Sequence, residues 1–282
     1  MKNLMNSTIV ISAASALILL SGNTAAQAQT MDWEKQTHLS VIALKVLPGQ
    51  EAAFAEHYKT GAGAKVIPGR LKANPNLMRW TLLRNVYAGD PAAEANYLLA
   101  TAAKGAPAEP DQAMNEKVAR ESAGISYADY MVKIRGMSVQ VGNTLSHMHH
   151  MTEGYGPVEG DYVVVRRLKA LENQRQTMLD LARDMQFPLA QERVKEGAVK
   201  GWSFSHLAFP TGDSNTYDAT EVRVYKDLAS AVSGSGGGGN GAAMRFAKVF
   251  PNKSYTGYVD ALRASSKVVR TDLYRVVVSY RK

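Results

Sequence analysis

Residues 193–202 read RVKEGAVKGW, and residues 70–80 read RLKANPNLMRW. In each stretch an arginine, an aliphatic residue and a lysine precede a tryptophan, and a predicted strand contains that tryptophan. The two arginines lie 123 positions apart, and Trp80 and Trp202 lie 122 positions apart. A spacing this constant indicates that the chain contains one structural unit twice.

Further matched pairs occur in the same order along the chain. Val41 and Val163 are 122 apart, Gly89-Asp90 and Gly212-Asp213 are 123 apart, and Ser126-Tyr127-x-x-Tyr130 and Ser254-Tyr255-x-x-Tyr258 are 128 apart. Short insertions explain the drift in spacing. We therefore divide the chain into a leader of residues 1–28, a first repeat of residues 29–155 and a second repeat of residues 156–282.

Both repeats show the same succession of predicted elements. Strands are predicted from runs rich in Val, Ile and Leu, and helices from apolar residues at helical spacing. The first repeat has strands at 39–47, 77–87, 96–102 and 139–151, with helices at 51–67, 111–122 and 126–135. The second has strands at 161–168, 198–209, 217–225 and 268–280, with helices at 171–196, 242–250 and 254–264 and a Gly/Ser loop at 233–241.

The order strand–helix–strand–strand–helix–strand is that of a ferredoxin-like unit. Its antiparallel sheet carries helices on one face only, so the other face must be covered by something else. A second copy in the same chain is the obvious cover. We therefore expect an α+β protein in which two βαββαβ units in tandem pack their sheets face to face as a pseudo-dimeric α/β barrel.

This arrangement resembles the dimeric α/β-barrel superfamily in a fused, tandem form. The run from Arg193 to Trp202 and the sequence Asp272-Leu273-Tyr274-Arg275 most resemble exported bacterial members of that group. The superfamily also includes small monooxygenases of antibiotic biosynthesis, NIPSNAP-like proteins and haem-handling enzymes such as chlorite dismutase. The resemblance implies a fold and does not assign a reaction.

The first 28 residues have the features of a secretory signal peptide. Lys2 supplies a positive start, Ile9–Leu20 is a 12-residue apolar run, and Ala26-Gln27-Ala28 is a small-x-small cleavage site. The apolar run is too short to span a bilayer. We expect an exported protein, periplasmic or secreted, that is soluble and leaves the membrane once the leader is removed.

Composition excludes several classes of function. The net charge of +8 comes from scattered Lys and Arg residues, so it does not form a nucleic-acid-binding footprint. The chain has no cysteine, which excludes cysteine nucleophiles, thiolate metal sites and cysteine-ligated iron–sulfur clusters. The glycine-rich stretch at 234–241 lacks a P-loop lysine, and no Gly-x-Ser-x-Gly motif is present.

Alternation along the later strands predicts a polar barrel interior. Tyr217, Ala219, Glu221, Arg223 and Tyr225 share one strand face, and we assign that face to the interior. In the last strand the same reasoning places Leu273, Arg275, Val277 and Ser279 inside. Ligand-binding candidates are then His206, Tyr217, Glu221, Arg223 and Arg275. The alternative is that the charged members pair with one another across strands near an open mouth.

The sequence Ser146-His147-Met148-His149-His150-Met151 is the one local cluster with ligand chemistry. His147 and His149 lie two positions apart on a predicted strand, so they point the same way and could share a metal ion. A third ligand would come from His206 or Glu221. Alternatively, the histidines hydrogen-bond to backbone or water. His206 could likewise be an acid, base or anion-holding group beside an aromatic wall, or a packed strand residue.

The repeated residues have a simpler structural interpretation. Basic residues in the last turn of a helix complement its dipole, which accounts for Arg70/Lys72 and Arg193/Lys195. We expect Trp80 and Trp202 to anchor helix to sheet.

We therefore expect the protein to bind a small molecule in the barrel interior, with no cofactor strongly implied. One rival is a monooxygenase-like or metal- or haem-dependent enzyme of the same fold. The other is a purely structural or oligomerising module. The sequence leaves open whether the protein forms a homodimer.

Overall fold

The computed structural model describes residues 36–86, 95–105, 111–210, 215–235 and 240–282. The predicted leader of residues 1–28 lies outside these residues. The strands are β1 (Thr37–Val46), β2 (Leu77–Asn85), β3 (Tyr97–Lys104), β4 (Ser138–Met151), β5 (Tyr162–Ala170), β6 (Gly201–Phe209), β7 (Ala219–Tyr225) and β8 (Ser266–Arg281). All neighbouring strands pair antiparallel, in the closed order β1-β3-β2-β8-β5-β7-β6-β4.

The helices lie between these strands in the predicted order. They are α1 (Glu51–Lys59), α2 (Ala62–Ala73), α3 (Gln112–Ala123), α4 (Tyr127–Met137), α5 (Arg175–Leu181), α6 (Phe187–Lys195), α7 (Leu228–Ser235), α8 (Asn240–Val249) and α9 (Tyr255–Ser265). No helix of the described residues is long and apolar enough to cross a membrane. The predicted Gly/Ser loop at 233–241 is shorter in the structure, because α7 extends to Ser235 and α8 begins at Asn240, and residues 236–239 lie outside the described residues.

The closed order divides into two ferredoxin-like sheets. Strands β4-β1-β3-β2 form one sheet and β8-β5-β7-β6 form the other. Two seams join them, β2 to β8 and β4 to β6, so backbone hydrogen bonds continue around the whole barrel. The predicted α+β fold with two βαββαβ units forming an α/β barrel is confirmed.

Local sequence explains where the helices begin and end. Ser126 caps α4 by accepting from the backbone N–H of Asp129, as the capping box predicts. The Asp129 carboxylate accepts in return from the Ser126 hydroxyl and not from its backbone N–H. The predicted helix 51–67 is instead two helices with a break at Thr60–Gly61, and it continues to Ala73. A π-helical turn at 182–186 joins α5 to α6 directly before Pro188, whose missing N–H interrupts the α-helical hydrogen bonds.

The two tryptophans lie on the outer face of the barrel, beneath the helices. Trp80 is 4% exposed, and its ring centroid lies 4.9 Å from that of Tyr58 on α1. Trp202 is 3% exposed and lies 6.2 Å from Phe187 at the start of α6. Both therefore join helix to sheet, which confirms the sequence interpretation.

The barrel interior is apolar, and this corrects the predicted assignment of faces. Its packed end is formed by Leu83, Leu98, Val163, Val165, Val222, Tyr274 and Val276. The residues predicted to face inward that instead lie on the outer face are Ala219, Glu221, Arg223, Tyr225, Leu273, Arg275, Val277, His147 and His149.

The prediction was wrong because it reserved the more apolar face of each strand for the helices. In the structure the interior takes that face, and the helix-covered face carries the charged residues. Bulges also shift the phase: the register between β2 and β8 slips after Leu82, so Val276 and Val278 lie on opposite faces. Tyr217 precedes β7 and lines the interior together with Thr220 and Val222.

We predict that the two halves require each other. Expressed separately as residues 29–155 and 156–282, each would expose two unpaired strand edges and an apolar sheet face. Mixing them should give a 1:1 complex in size-exclusion chromatography with restored near-UV circular dichroism. Two fragments that were each stable monomers with no mutual affinity would contradict this prediction.

Candidate functional site

The barrel encloses a cavity of about 460 Å³. Its wall is mainly aliphatic and thioether side chains, contributed by strands of both halves. The apolar lining includes Leu39, Val41, Leu77, Met78, Leu83, Leu98, Ala100, Met148, Met151, Val163, Val165 and Val222. Of the residues that line the cavity, Pro75, Lys104, Arg281 and Lys282 are exposed to solvent, so the cavity opens to the surface beside them.

A few polar groups interrupt this apolar wall. Arg167 forms an ion pair with the buried Asp272, and its guanidinium lies 5.5 Å from the centre of the Tyr217 ring. Thr81 and Ser279 share a hydrogen bond of 3.0 Å across β2 and β8. Groups of this kind can orient a ligand within an otherwise apolar pocket.

Glu221 and Arg223 form a buried polar network outside the barrel wall. The Glu221 carboxylate accepts hydrogen bonds from Trp202 Nε1 at 2.9 Å, Arg166 Nη1 at 2.9 Å and Arg223 Nε at 2.8 Å. Burial acts to raise the pKa of Glu221, but Arg223 and Arg166 outweigh it and lower the pKa to about 2. Glu221 and Arg223 do pair, but within β7 and away from the cavity mouth, not across strands as the alternative predicted, and Arg275 takes no part because it is exposed and lies over the Tyr162 ring.

Histidines from three neighbouring strands form a second cluster on the outer face. His147 on β4 is paired in register with His38 on β1 and with His206 on β6. The His147 ring centroid lies 4.7 Å from that of His38 and 5.0 Å from that of His206. His149 is more exposed, and its Nε2 contacts His206 Nδ1. The structure brings His147, His149 and His206 together on the outer face of the sheet, whereas strand alternation in the sequence assigned His147 and His149 to the interior.

These imidazoles are held in their neutral form. Burial lowers the pKa of His206 to about 3, and the neighbouring His149, Arg175 and His147 act in the same direction. The pKa of His147 is lowered by burial and by His38 and Arg175, and the pKa of His38 is lowered chiefly by burial. The cluster is therefore uncharged at neutral pH.

The side chains of the described residues do not assemble a metal or haem site. Within the described residues, no group of three or more His, Asp or Glu side chains is arranged to hold one metal ion. A haem group requires an axial ligand, commonly histidine or cysteine, facing an apolar cavity. The chain has no cysteine, and among the described residues no histidine lines the barrel cavity. We therefore derive no chemistry through either group.

Sequence reasoning missed Arg79, Tyr155 and Arg167, which all line the cavity. The signal for Arg79 was available. Once Trp80 is assigned to the helix-covered face, strand alternation places Arg79 on the interior face. Tyr155 follows β4 in an irregular segment, and its position has no periodic signal in the sequence.

Comparison with known proteins identifies the fold alone. No family model matches the sequence, and no curated protein matches it. A proposed monooxygenase from Fusobacterium nucleatum subsp. nucleatum superimposes with a TM-score of 0.55 and 8% identity, covering 88% of this chain and 95% of that one. A proposed monooxygenase from Lactobacillus acidophilus superimposes with a TM-score of 0.52 and 8% identity, covering 88% of this chain and 97% of that one. An anthrone oxidase-like protein superimposes with a TM-score of 0.51 and 11% identity, covering 88% of this chain and 93% of that one. The shared architecture is the dimeric α/β barrel.

We predict that Glu221→Gln lowers the free energy of unfolding by about 3 kcal/mol, because it leaves the buried Arg223 without a counter-charge. Urea denaturation measures this loss. Glu159→Gln is the matched control, since Glu159 pairs with Lys59 on the surface and should cost less than about 1 kcal/mol. Equal losses for the two variants would show that the Glu221 network adds no special stability.

We predict that the histidine cluster makes the fold acid-sensitive. His206 has a lower pKa in the folded chain than the value of about 6.5 in the unfolded chain, so unfolding takes up a proton. Above about pH 6.5 His206 is neutral in both the folded and the unfolded chain and does not change the free energy of unfolding. As the pH drops from there toward 3, His206 takes up a proton only in the unfolded chain, and the free energy of unfolding falls. Between pH 7.5 and pH 5, wild-type protein should lose up to about 2 kcal/mol more than His206→Gln.

Urea midpoints at the two pH values measure this difference. The exposed Gln140 on the same sheet provides the control, since Gln140→Ala should leave the pH dependence unchanged. A pH dependence that was identical in His206→Gln and wild type would contradict the assignment of a buried, neutral His206.

Proposed function

We propose that this protein binds a small, mostly apolar molecule in the cavity of its barrel. The single observation that carries the proposal is the cavity itself. Its volume of about 460 Å³ lies in the range of small-molecule sites, roughly 300–1,000 Å³, and its wall combines apolar side chains with a few polar groups.

The cavity favours ligand binding over a purely structural role. Protein interiors are close-packed, and voids larger than a water molecule are few. A barrel that served only to pack two sheets would fill its centre with larger side chains. Here the wall instead includes small residues, among them Ala100, Ala102 and Ser146. The three methionines in the wall are flexible and can adapt to the shape of a ligand.

A second candidate is an oxygenase reaction on a ligand in the same cavity. It is favoured by the fold shared with two proposed monooxygenases and an anthrone oxidase-like protein. The sequence-based version of this hypothesis used His147, His149 or His206. These residues lie outside the barrel wall and cannot contact a ligand in the cavity. Oxygen consumption in the presence of anthrone would support the second candidate, and binding without consumption would leave ligand binding as the function.

We also propose, from the sequence alone, that the protein is exported and acts in the periplasm or outside the cell. The support is the charged start, apolar run and small-x-small site within residues 1–28. The N-terminal sequence of the mature protein, isolated from cell fractions, tests this directly, and we expect it to begin at Gln29.

We predict that the uncharged probe N-phenyl-1-naphthylamine binds wild-type protein with an increase in fluorescence. Ala100→Phe adds a phenyl group to the cavity wall and should weaken that binding by more than about tenfold, since overfilling the site displaces the ligand. Ala53→Phe makes the same change on the exposed surface of α1 and should leave binding unchanged.

Far-UV circular dichroism establishes that both variants are folded. An absence of probe binding to wild-type protein would overturn the proposed function, and so would equal affinity of wild type and a folded Ala100→Phe.

A further inference from the structure

Two arginines face each other at the open end of the cavity. Arg79 on β2 is paired in register with Arg281 on β8, and both line the cavity. Lys104 and Lys282 line the same end. This end of an otherwise apolar cavity is therefore strongly cationic.

Arg79 is held firmly in place by the segment that follows β4. Its Nη1 donates to the carbonyl oxygen of Pro157 at 2.9 Å. The guanidinium packs so closely on Gly156 that a Cβ at that position would lie within 2.4 Å of three of its atoms. Tyr155, on the same segment, also lines the cavity. Only glycine permits this approach, so the fold positions the Arg79 guanidinium at the cavity wall.

In the part of the chain that the structure describes, no Asp or Glu side chain forms an ion pair with Arg79 or Arg281. Burial lowers the pKa of Arg79, Tyr155 acts in the opposite direction, and the charge of Arg281 acts in the same direction as burial. Like charges directly opposite each other on neighbouring strands are destabilising. Arg281 is exposed but Arg79 is half-buried, so water screens this repulsion less than it screens a pair in which both members are exposed.

Two comparisons within the chain show that this arrangement is specific. Arg167 lines the same cavity but is neutralised by Asp272. Arg84 and Arg275 form a second opposed pair on the same two strands, but both are exposed on the outer face, where solvent screens them. Arg79 and Arg281 alone among these combine cavity lining, mutual repulsion and no carboxylate partner in the described residues.

We propose that the cavity ligand carries an anionic group, a carboxylate or sulfonate, which Arg79 and Arg281 bind while its apolar body occupies the barrel. This inference rests on the proposed function and names the chemical class of its ligand. Arginine suits the role because its planar fork of N–H donors matches a carboxylate or sulfonate. The anion would also remove the repulsion between the two guanidinium groups.

The test compares two probes with the same aromatic body. N-phenyl-1-naphthylamine is uncharged, and 8-anilinonaphthalene-1-sulfonate adds one sulfonate. Arg79→Gln and Arg281→Gln should each weaken sulfonate binding by about tenfold, the effect of losing one charge-assisted hydrogen bond, and should change binding of the uncharged probe less than twofold. Raising the salt concentration should weaken sulfonate binding to wild type more than to Arg79→Gln.

Arg84→Gln and Arg275→Gln are the matched controls, since they remove an opposed arginine from the same strands on the other face. They should leave both probes unaffected. If the uncharged probe binds but Arg79→Gln and Arg281→Gln leave the sulfonate affinity unchanged, the anionic ligand is ruled out and the proposed function stands. If neither probe binds wild-type protein, the proposed function itself fails, and this inference fails with it.

Discussion

Closure of the sheet at two seams is the constraint on which the rest of the structure depends. Each ferredoxin-like half ends in two open strand edges, and each edge finds its hydrogen-bond partners only on the other half, β2 on β8 and β4 on β6. Because the sheet is closed, the protein has a barrel interior. Closure makes one face of every strand a cavity wall and leaves the helices to cover the other face. The cavity and both polar clusters take their positions from it.

The layer between sheet and helices contains side chains that look catalytic in sequence. Glu221 is surrounded by three donors that hold it ionised, and burial, together with His149, Arg175 and His147, holds His206 neutral. The Glu221 network satisfies buried polar groups within the fold, and neither network faces the cavity. In this layer the shifted pKa values of Glu221 and His206 result from packing between sheet and helices. Whether a side chain lines the cavity is therefore a better guide to function than a shifted pKa.

The architecture could be predicted from the sequence because the same order of strands and helices occurs in both repeats, so each repeat supports the assignment made in the other. Trp80 and Trp202 are buried at equivalent positions of the two repeats, between sheet and helices. Ser126 marks the start of a helix through a local hydrogen bond that does not depend on tertiary packing. In β7 and β8, which contain no tryptophan to mark the helix-covered face, alternation alone could not assign the inward and outward faces, because it gives two equivalent phases. The bulge after Leu82 reverses the phase within one strand pair, and no pattern in the sequence marks it.

The site was harder to predict because it depends on register between strands distant in sequence. The sequence around His38 has no motif that indicates a site, and His38 contacts His147 only because β1 pairs with β4. Arg79 and Arg281 are 202 positions apart and meet only where β8 closes the barrel.

In a symmetric homodimer the two seams would be identical. Duplication within one chain released them from that symmetry. The position of Arg79 in one repeat corresponds to Gly201 in the other, so the two seams differ in charge at this position, and a ligand bound as proposed would take a single orientation, with its anionic group toward Arg79.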